Sequence, residues 1–165
     1  MQKYFVAAIS LAVLVLLITL AVRTWRARSN QQSASLGAVP HTLAGTQIFA
    51  TDGGYVATTY ANDPLNRLMA FGLGARGNAK LSVATDGLLI ERKGEQDIAI
   101  GKASIREVFL SQGTIDRVVE RDGLITLAWM LSDTELHTSL RIVDAQIRNN
   151  FVGHLTELVG KELTR

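Results

Sequence analysis

The run Tyr4 to Val22 (YFVAAISLAVLVLLITLAV) constrains this chain most, with 19 residues, no charge, and only Ser10 and Thr19 as polar side chains beyond the Tyr4 hydroxyl. A helix of that length spans about 29 Å, close to a hydrocarbon core of about 30 Å, and it satisfies its own backbone groups inside lipid. The run predicts a membrane-spanning helix. Tyr4 and Trp25 then fall near opposite interfaces as aromatic-belt residues, with Arg23, Arg26 and Arg28 as basic anchors at one end. A cleaved signal peptide fits less well, because Arg23-Thr24-Trp25-Arg26 follows the apolar run directly and the small residues Ser33-Ala34-Ser35 come too far downstream. No second stretch approaches the length of a span, and this one carries no ionisable group, which argues against a multi-pass transporter.

Charge divides along the chain in the same place. Of 17 basic and 15 acidic residues, Lys3, Arg23, Arg26 and Arg28 and no acid lie in residues 1–30, so the remainder carries 13 basic against 15 acidic side chains. The basic pI of about 9.2 thus belongs to the N-terminal arm. A slightly acidic remainder argues against nucleic acid as a partner, since phosphate-backbone binding needs a basic face on the folded domain. Three arginines just after the run, against Lys3 and the amino terminus before it, favour a cytoplasmic side for everything downstream. The expected location is the plasma (inner) membrane, single-pass, with the lipid bilayer engaged through the N-terminal helix.

Residues 29–40 (SNQQSASLGAVP) are small and polar and end at Pro40, which reads as a flexible linker with an r.m.s. span of about 20 Å. From His41 onward turn signals recur every eight to twelve residues between short alternating or apolar segments, a β-rich pattern. Thr46–Ala50 and Tyr55–Tyr60 flank Asp52-Gly53-Gly54 and predict a hairpin. Ala79–Ala84 and Leu88–Arg92 flank Asp86-Gly87, a two-residue turn that sets Val83 opposite Ile90. Asp97–Ile100, Ile105–Leu110, a short piece at Val118-Val119, Leu124–Leu131 and Glu135–Ile142 continue the series, with turns at Asp122-Gly123 and Ser132-Asp133. The end changes period. After Asp144, an N-cap residue type, Ile147, Phe151, Val152, Leu155, Leu158 and Val159 recur at helical spacing before Gly160 and predict one amphipathic helix packed on the preceding sheet.

About eight strands and a C-terminal helix is the order of a pleckstrin-homology (PH)-like barrel. Tyr55-Val56-Ala57-Thr58-Thr59, Pro64-Leu65-Asn66-Arg67, Gly72-Leu73-Gly74-Ala75-Arg76-Gly77-Asn78-Ala79, Val119-Glu120-Arg121-Asp122-Gly123 and Asp133-Thr134-Glu135-Leu136, in that order, resemble a family of small bacterial single-pass membrane proteins with a PH-like domain. Its members are often labelled exported or membrane proteins, or transporters. The resemblance covers roughly residues 1–160 and implies an α+β, mainly β architecture, with a transmembrane helix followed by a PH-like antiparallel barrel and a C-terminal helix. The domains expected are 1–28 for the anchor with its basic flank, 29–40 for the linker and 41–165 for the PH-like domain. The family supplies no catalytic or ligand-binding residues to carry over.

Gly72-Leu73-Gly74-Ala75-Arg76-Gly77 matches G-x-G-x-x-G, but a dinucleotide site needs a helix after the last glycine to hold the pyrophosphate. Here Ala79, Leu81 and Val83 follow at strand period, so no nucleotide is expected and the glycines read as a sharp connection. With no cysteine and three scattered histidines, no metal site and no cofactor are expected. His154 and Glu157, at i, i+3, read as a surface pair, His137, Ser139 and Arg141 as the outer face of a strand, and Trp129 as core. The predicted hairpin loops carry Asp52 and Asp86, and Glu91, Glu95 and Asp97 lie close to Arg92 and Lys93. Arg76 and Lys80 alone make a weak patch, so no phosphoinositide-type headgroup site is expected. No acid, base and nucleophile set stands out, and the chain is not read as an enzyme. Two functions fit: a membrane-tethered PH-like interaction or scaffolding module that recruits a protein partner, or a non-catalytic accessory subunit of a membrane enzyme or export system.

Overall fold

The computed structural model describes residues 2–111, 113–114, 117–118 and 123–160. Side chains in helix α1 (Gln2–Leu36) are described from Ile9 onward, apart from positions 25, 28, 29, 31, 34 and 35, and in 113–114 and 117–118 only the backbone is described. The side chains of Tyr4, Trp25 and Arg28 therefore lie outside the described residues, as do Val119 and positions 120–122 of the motif quoted above. Among the described residues no helix is long and apolar enough to cross a membrane. The described side chains enter the apolar run only at Ile9, and from there to Val22 the large apolar ones stand 41–62% exposed, on all sides of the helix.

Strands β1 (Gln47–Tyr60), β2 (Asp63–Arg67), β3 (Gly77–Ala84), β4 (Gly87–Arg92), β5 (Ile98–Gly101), β6 (Ile105–Ser111), β7 (Gly113–Thr114), β8 (Arg117–Val118), β9 (Leu124–Leu131) and β10 (Thr134–Arg141) precede helix α2 (Ala145–Val159). The main sheet runs β5-β4-β3-β1-β10-β9-β6, antiparallel throughout, with β2 paired to β1. This is the mainly β order with a C-terminal helix that the turn spacing implied. Trp129, Ile125 and Leu127 are buried from β9, Leu81 and Val83 from β3, and Phe151 and Leu155 from α2, in one continuous core.

Two local expectations are corrected. Asp52-Gly53-Gly54 is not a hairpin turn, for β1 passes straight through it as one 14-residue strand. Glycine is needed at position 53 because β3 and β10 approach the same point. Gly54 pairs with both Asn78 and Arg141, and a Cβ on Gly53 would come within 2.8 Å of Leu81 Cδ1 and 3.0 Å of the Arg141 carbonyl oxygen. In the next hairpin Ala84 pairs with Gly87, so the turn is Thr85-Asp86, and Val83 lies opposite Leu88 while Leu81 faces Ile90. The two-residue slip keeps every apolar side chain on its face. Asp86 is held in the turn by another task, its carboxylate accepting the Ala44 and Gly45 amides at 2.9 and 2.7 Å.

The expected flexible linker at 29–40 is also corrected. Helix α1 continues to Leu36 and ends where Gly37 adopts φ of 72°, the left-handed conformation that stops helices. Leu36 and Val39 are buried in the core, two apolar side chains of this otherwise polar stretch packed against the sheet domain.

Helix α2 begins as read. The Asp144 carboxylate accepts the Gln146 and Ile147 amides at 2.8 and 2.9 Å, and Gly160 closes the helix at φ of 68°. It packs on β1, β3 and β6, which fixes the start of the helix beside the glycine corner of β1.

Candidate interaction groove

At that corner β3 and β10 flank β1 on either side, and over it lies an open groove of about 890 Å³. Its floor is Gly53-Gly54. One wall is Asn78, Ala79 and Lys80 of β3 with Glu91 and Lys93 beyond, and the other is Arg141 through Asp144 and Ile147, where β10 passes into α2. Gly54, level with Asn78 and in phase with Asp52, puts no side chain into this floor, while Gly53 faces the core against Leu81.

Charge in the groove is balanced. Asp52, Lys80 and Glu91 lie in one cross-strand row, and the Lys80 ammonium stands 3.6 Å from the Glu91 carboxylate with both side chains about half exposed. Such a pair is worth little in stability and leaves both groups available to solvent. Lys80, Lys93 and Arg141 face Asp52, Glu91 and Asp144, so the lining carries no net formal charge. Asp144 is already engaged in capping α2. The apolar part of the rim is Val143, 78% exposed, and Ile147, 39% exposed, which α2 carries outward while Phe151 and Leu155 turn in. The arrangement suits contact with a chain segment of mixed polarity. Among the described residues no group of three acidic, histidine or cysteine side chains could hold a metal ion.

The residues singled out from sequence are dispersed. His154 stacks near Phe49, ring centroids 4.9 Å apart, and its Nδ1 lies 3.9 Å from Glu157, a loose surface pair. His137 packs edge-on to Phe109 at 5.5 Å and stands 3.7 Å from Glu135 on the outer face of β10. Arg141, from that same row, is the one that reaches the groove. Arg23 and Arg26 lie on α1, away from it. The 72–77 glycine motif makes a turn. Gly72 is left-handed at φ of 68°, its carbonyl accepts Arg92 Nη1 at 2.6 Å, and a Cβ there would collide with the Glu95 carboxylate.

Sequence reasoning missed a buried polar chain beneath that turn. The Trp129 indole N–H donates to Thr138 Oγ1 at 2.9 Å, Thr138 and Thr58 hydroxyls meet at 2.8 Å, Thr58 and Tyr55 at 2.7 Å, and Tyr55 donates to the Leu73 carbonyl at 2.7 Å. Each hydroxyl has one proton, so fixing the last donor fixes every direction, and donation runs from Trp129 to Leu73. Burial pushes the Tyr55 phenol up to about 12, against the opposing pull of the Thr58 hydrogen bond and the charges of Arg92 and Arg67. The Arg92 guanidinium, 4.8 Å above the Tyr55 ring, covers it from the other side. The only sequence signal for this chain was polar residues at inward strand positions, Thr58 and Thr138, in phase with Trp129.

A family model described as "Bacterial PH domain-like" matches residues 33–156. No curated protein sequence matches the chain. Among solved structures, one described as the Spt16D Pob3N heterodimer aligns at a TM-score of 0.44 and 9% identity over 72% of this chain and 54% of that one. The C-terminal domain of an unknown protein from Leishmania infantum aligns at 0.45 and 14% identity, over 79% of this chain and 94% of that one. The chain spans about half the length of the first of these.

Proposed function

The chain belongs to the bacterial PH domain-like family, and from that premise we propose that it is a membrane-anchored interaction module which binds a protein partner in the Gly53-Gly54 groove and carries out no chemistry of its own. The observation that carries the binding half is the groove lining. A charge-balanced trough with exposed Val143 and Ile147 on its rim favours a polypeptide over a polyphosphate headgroup, which would call for a concentrated cluster of Lys and Arg. The anchoring half rests on α1. Large apolar side chains exposed all round a helix are costly in water and at home in lipid, and its polar Thr19 and Thr24 hydroxyls donate to the carbonyls of Val15 and Leu20 within the helix. Read back to Tyr4, the run has the length of a span, and Arg23, Arg26 and Arg28 orient the domain toward the cytoplasm.

Photo-crosslinking in native membranes tests the reading. A crosslinker replacing Val143 is expected to capture one discrete protein, and Ile147→Asp to suppress the adduct, while a crosslinker at Leu65, 77% exposed on β2 away from the groove, gives none. Equal diffuse labelling from both positions would overturn it. If the captured protein is a subunit of a membrane enzyme or export complex, the accessory role is selected over a general scaffold.

A further inference from the structure

The junction between helix α1 and the barrel is attached at three separate places. The Gln32 carboxamide oxygen accepts the backbone amides of Met69 and Ala70 at 2.8 and 3.2 Å, at the entry to the glycine turn. The Leu36 carbonyl accepts the Ser132 hydroxyl at 3.1 Å, in the turn between β9 and β10, and the Leu36 side chain is 1% exposed. The Pro40 carbonyl accepts the Ala99 amide at 2.8 Å, on the outer edge of β5. One contact would leave a swivel. Gln32 and Leu36 hold the helix itself on two separate connections of the sheet domain, and Pro40 pins the chain just beyond it on β5, so that together they remove the rotational freedom of the helix against the domain.

From this we infer that α1 is a rigid stalk built into the domain, so that helix and barrel turn as one body and the groove is held at a fixed height and facing. The inference rests on the anchoring of α1 proposed above for its biological meaning, but its geometry does not. From Val22, the last residue of the apolar run, to Gln32 the helix rises about 15 Å. A partner seated in the groove is therefore one whose docking segment lies within a few nanometres of the bilayer at a set orientation, whereas a 12-residue tether would let the domain search a sphere of about 20 Å.

The absence of cysteine allows a clean test. Spin labels are placed on the exposed positions Ala27→Cys and Lys102→Cys of the full chain in lipid nanodiscs, and the distance between them is measured by pulsed electron resonance. The expected result is a single narrow distribution. Insertion of three glycines between Arg28 and Ser29, upstream of the docked Gln32, is expected to broaden it severalfold without altering the melting of the domain. A native distribution as broad as that of the insertion variant would overturn the stalk. Flotation of the same samples with native membranes separates the two readings: a narrow distribution in a chain that does not float removes the anchor and keeps the stalk, and a broad one in a chain that floats does the reverse.

Discussion

The Tyr55 hydroxyl donates to the Leu73 carbonyl oxygen at 2.7 Å, tying the middle of β1 to the glycine-rich turn that follows β2. The bond is the last of a chain that begins at Trp129, so the hydroxyl stands between two sheet halves and a loop. Tyr55→Phe leaves the Leu73 carbonyl without that donor in a buried site, and the expected loss is about 1–3 kcal/mol. Urea unfolding measures it, and an unchanged midpoint would mean that the hydroxyl contributes nothing.

Alkaline stability reports the same residue. A phenol raised to about 12 when folded and near 10 when unfolded stays protonated longer in the native state, so the unfolded state releases the proton first as pH rises. Tyr55's contribution to stability is expected to be constant below pH 10 and to fall by roughly 3 kcal/mol between pH 10 and 12. Tyr55→Phe is expected to flatten that part of the profile; an equal slope in both proteins would assign the loss to other groups.

Phe151 anchors α2. It is fully buried and its ring lies 6.4 Å from that of Phe49 on β1. Phe151→Ala is expected to cost about 3–5 kcal/mol, read from denaturant unfolding. A loss below about 1 kcal/mol would place the helix outside the cooperative core.

The folding unit begins before His41. A fragment of residues 30–165 retains Gln32, Leu36 and Val39, while one of residues 41–165 loses two fully buried side chains and bares the β5 edge at Ala99. The shorter fragment is expected to melt many degrees lower, given about 1.5–3 kcal/mol for each buried aliphatic side chain. Coincident melting curves would restore a free linker.

Balanced groove charge sets the last expectation. The 30–165 fragment should not sediment with anionic liposomes at about 0.15 M salt, where exposed charges are screened beyond roughly 8 Å. Saturable, headgroup-selective binding would replace the protein partner with a lipid.

Much of the sheet could be read from one dimension because its rules are local. Strand period, the Ser132-Asp133 turn and the Asp144 cap each depend on a few neighbouring residues, and β9, β10 and α2 lie within a residue or so of where the pattern put them. The errors fall where distant residues decide. Asp52-Gly53-Gly54 has the composition of a turn, and only the arrival of β3 and β10 from both sides makes it the straight floor of a groove. Likewise, residues 29–40 have the composition of a linker. Helix continuation there depends on a place in the core that accepts Leu36 and on two amide donors, at Met69 and Ala70, that Gln32 satisfies from 37 and 38 positions away. The sequence alone settled the strand-rich order, the cap and the placing of Trp129 in the core, since each follows from the backbone's own period. Tertiary structure decided the groove, the buried hydroxyl chain and the join to α1, because close approach and hydrogen-bond satisfaction are properties of pairs that composition and spacing do not encode.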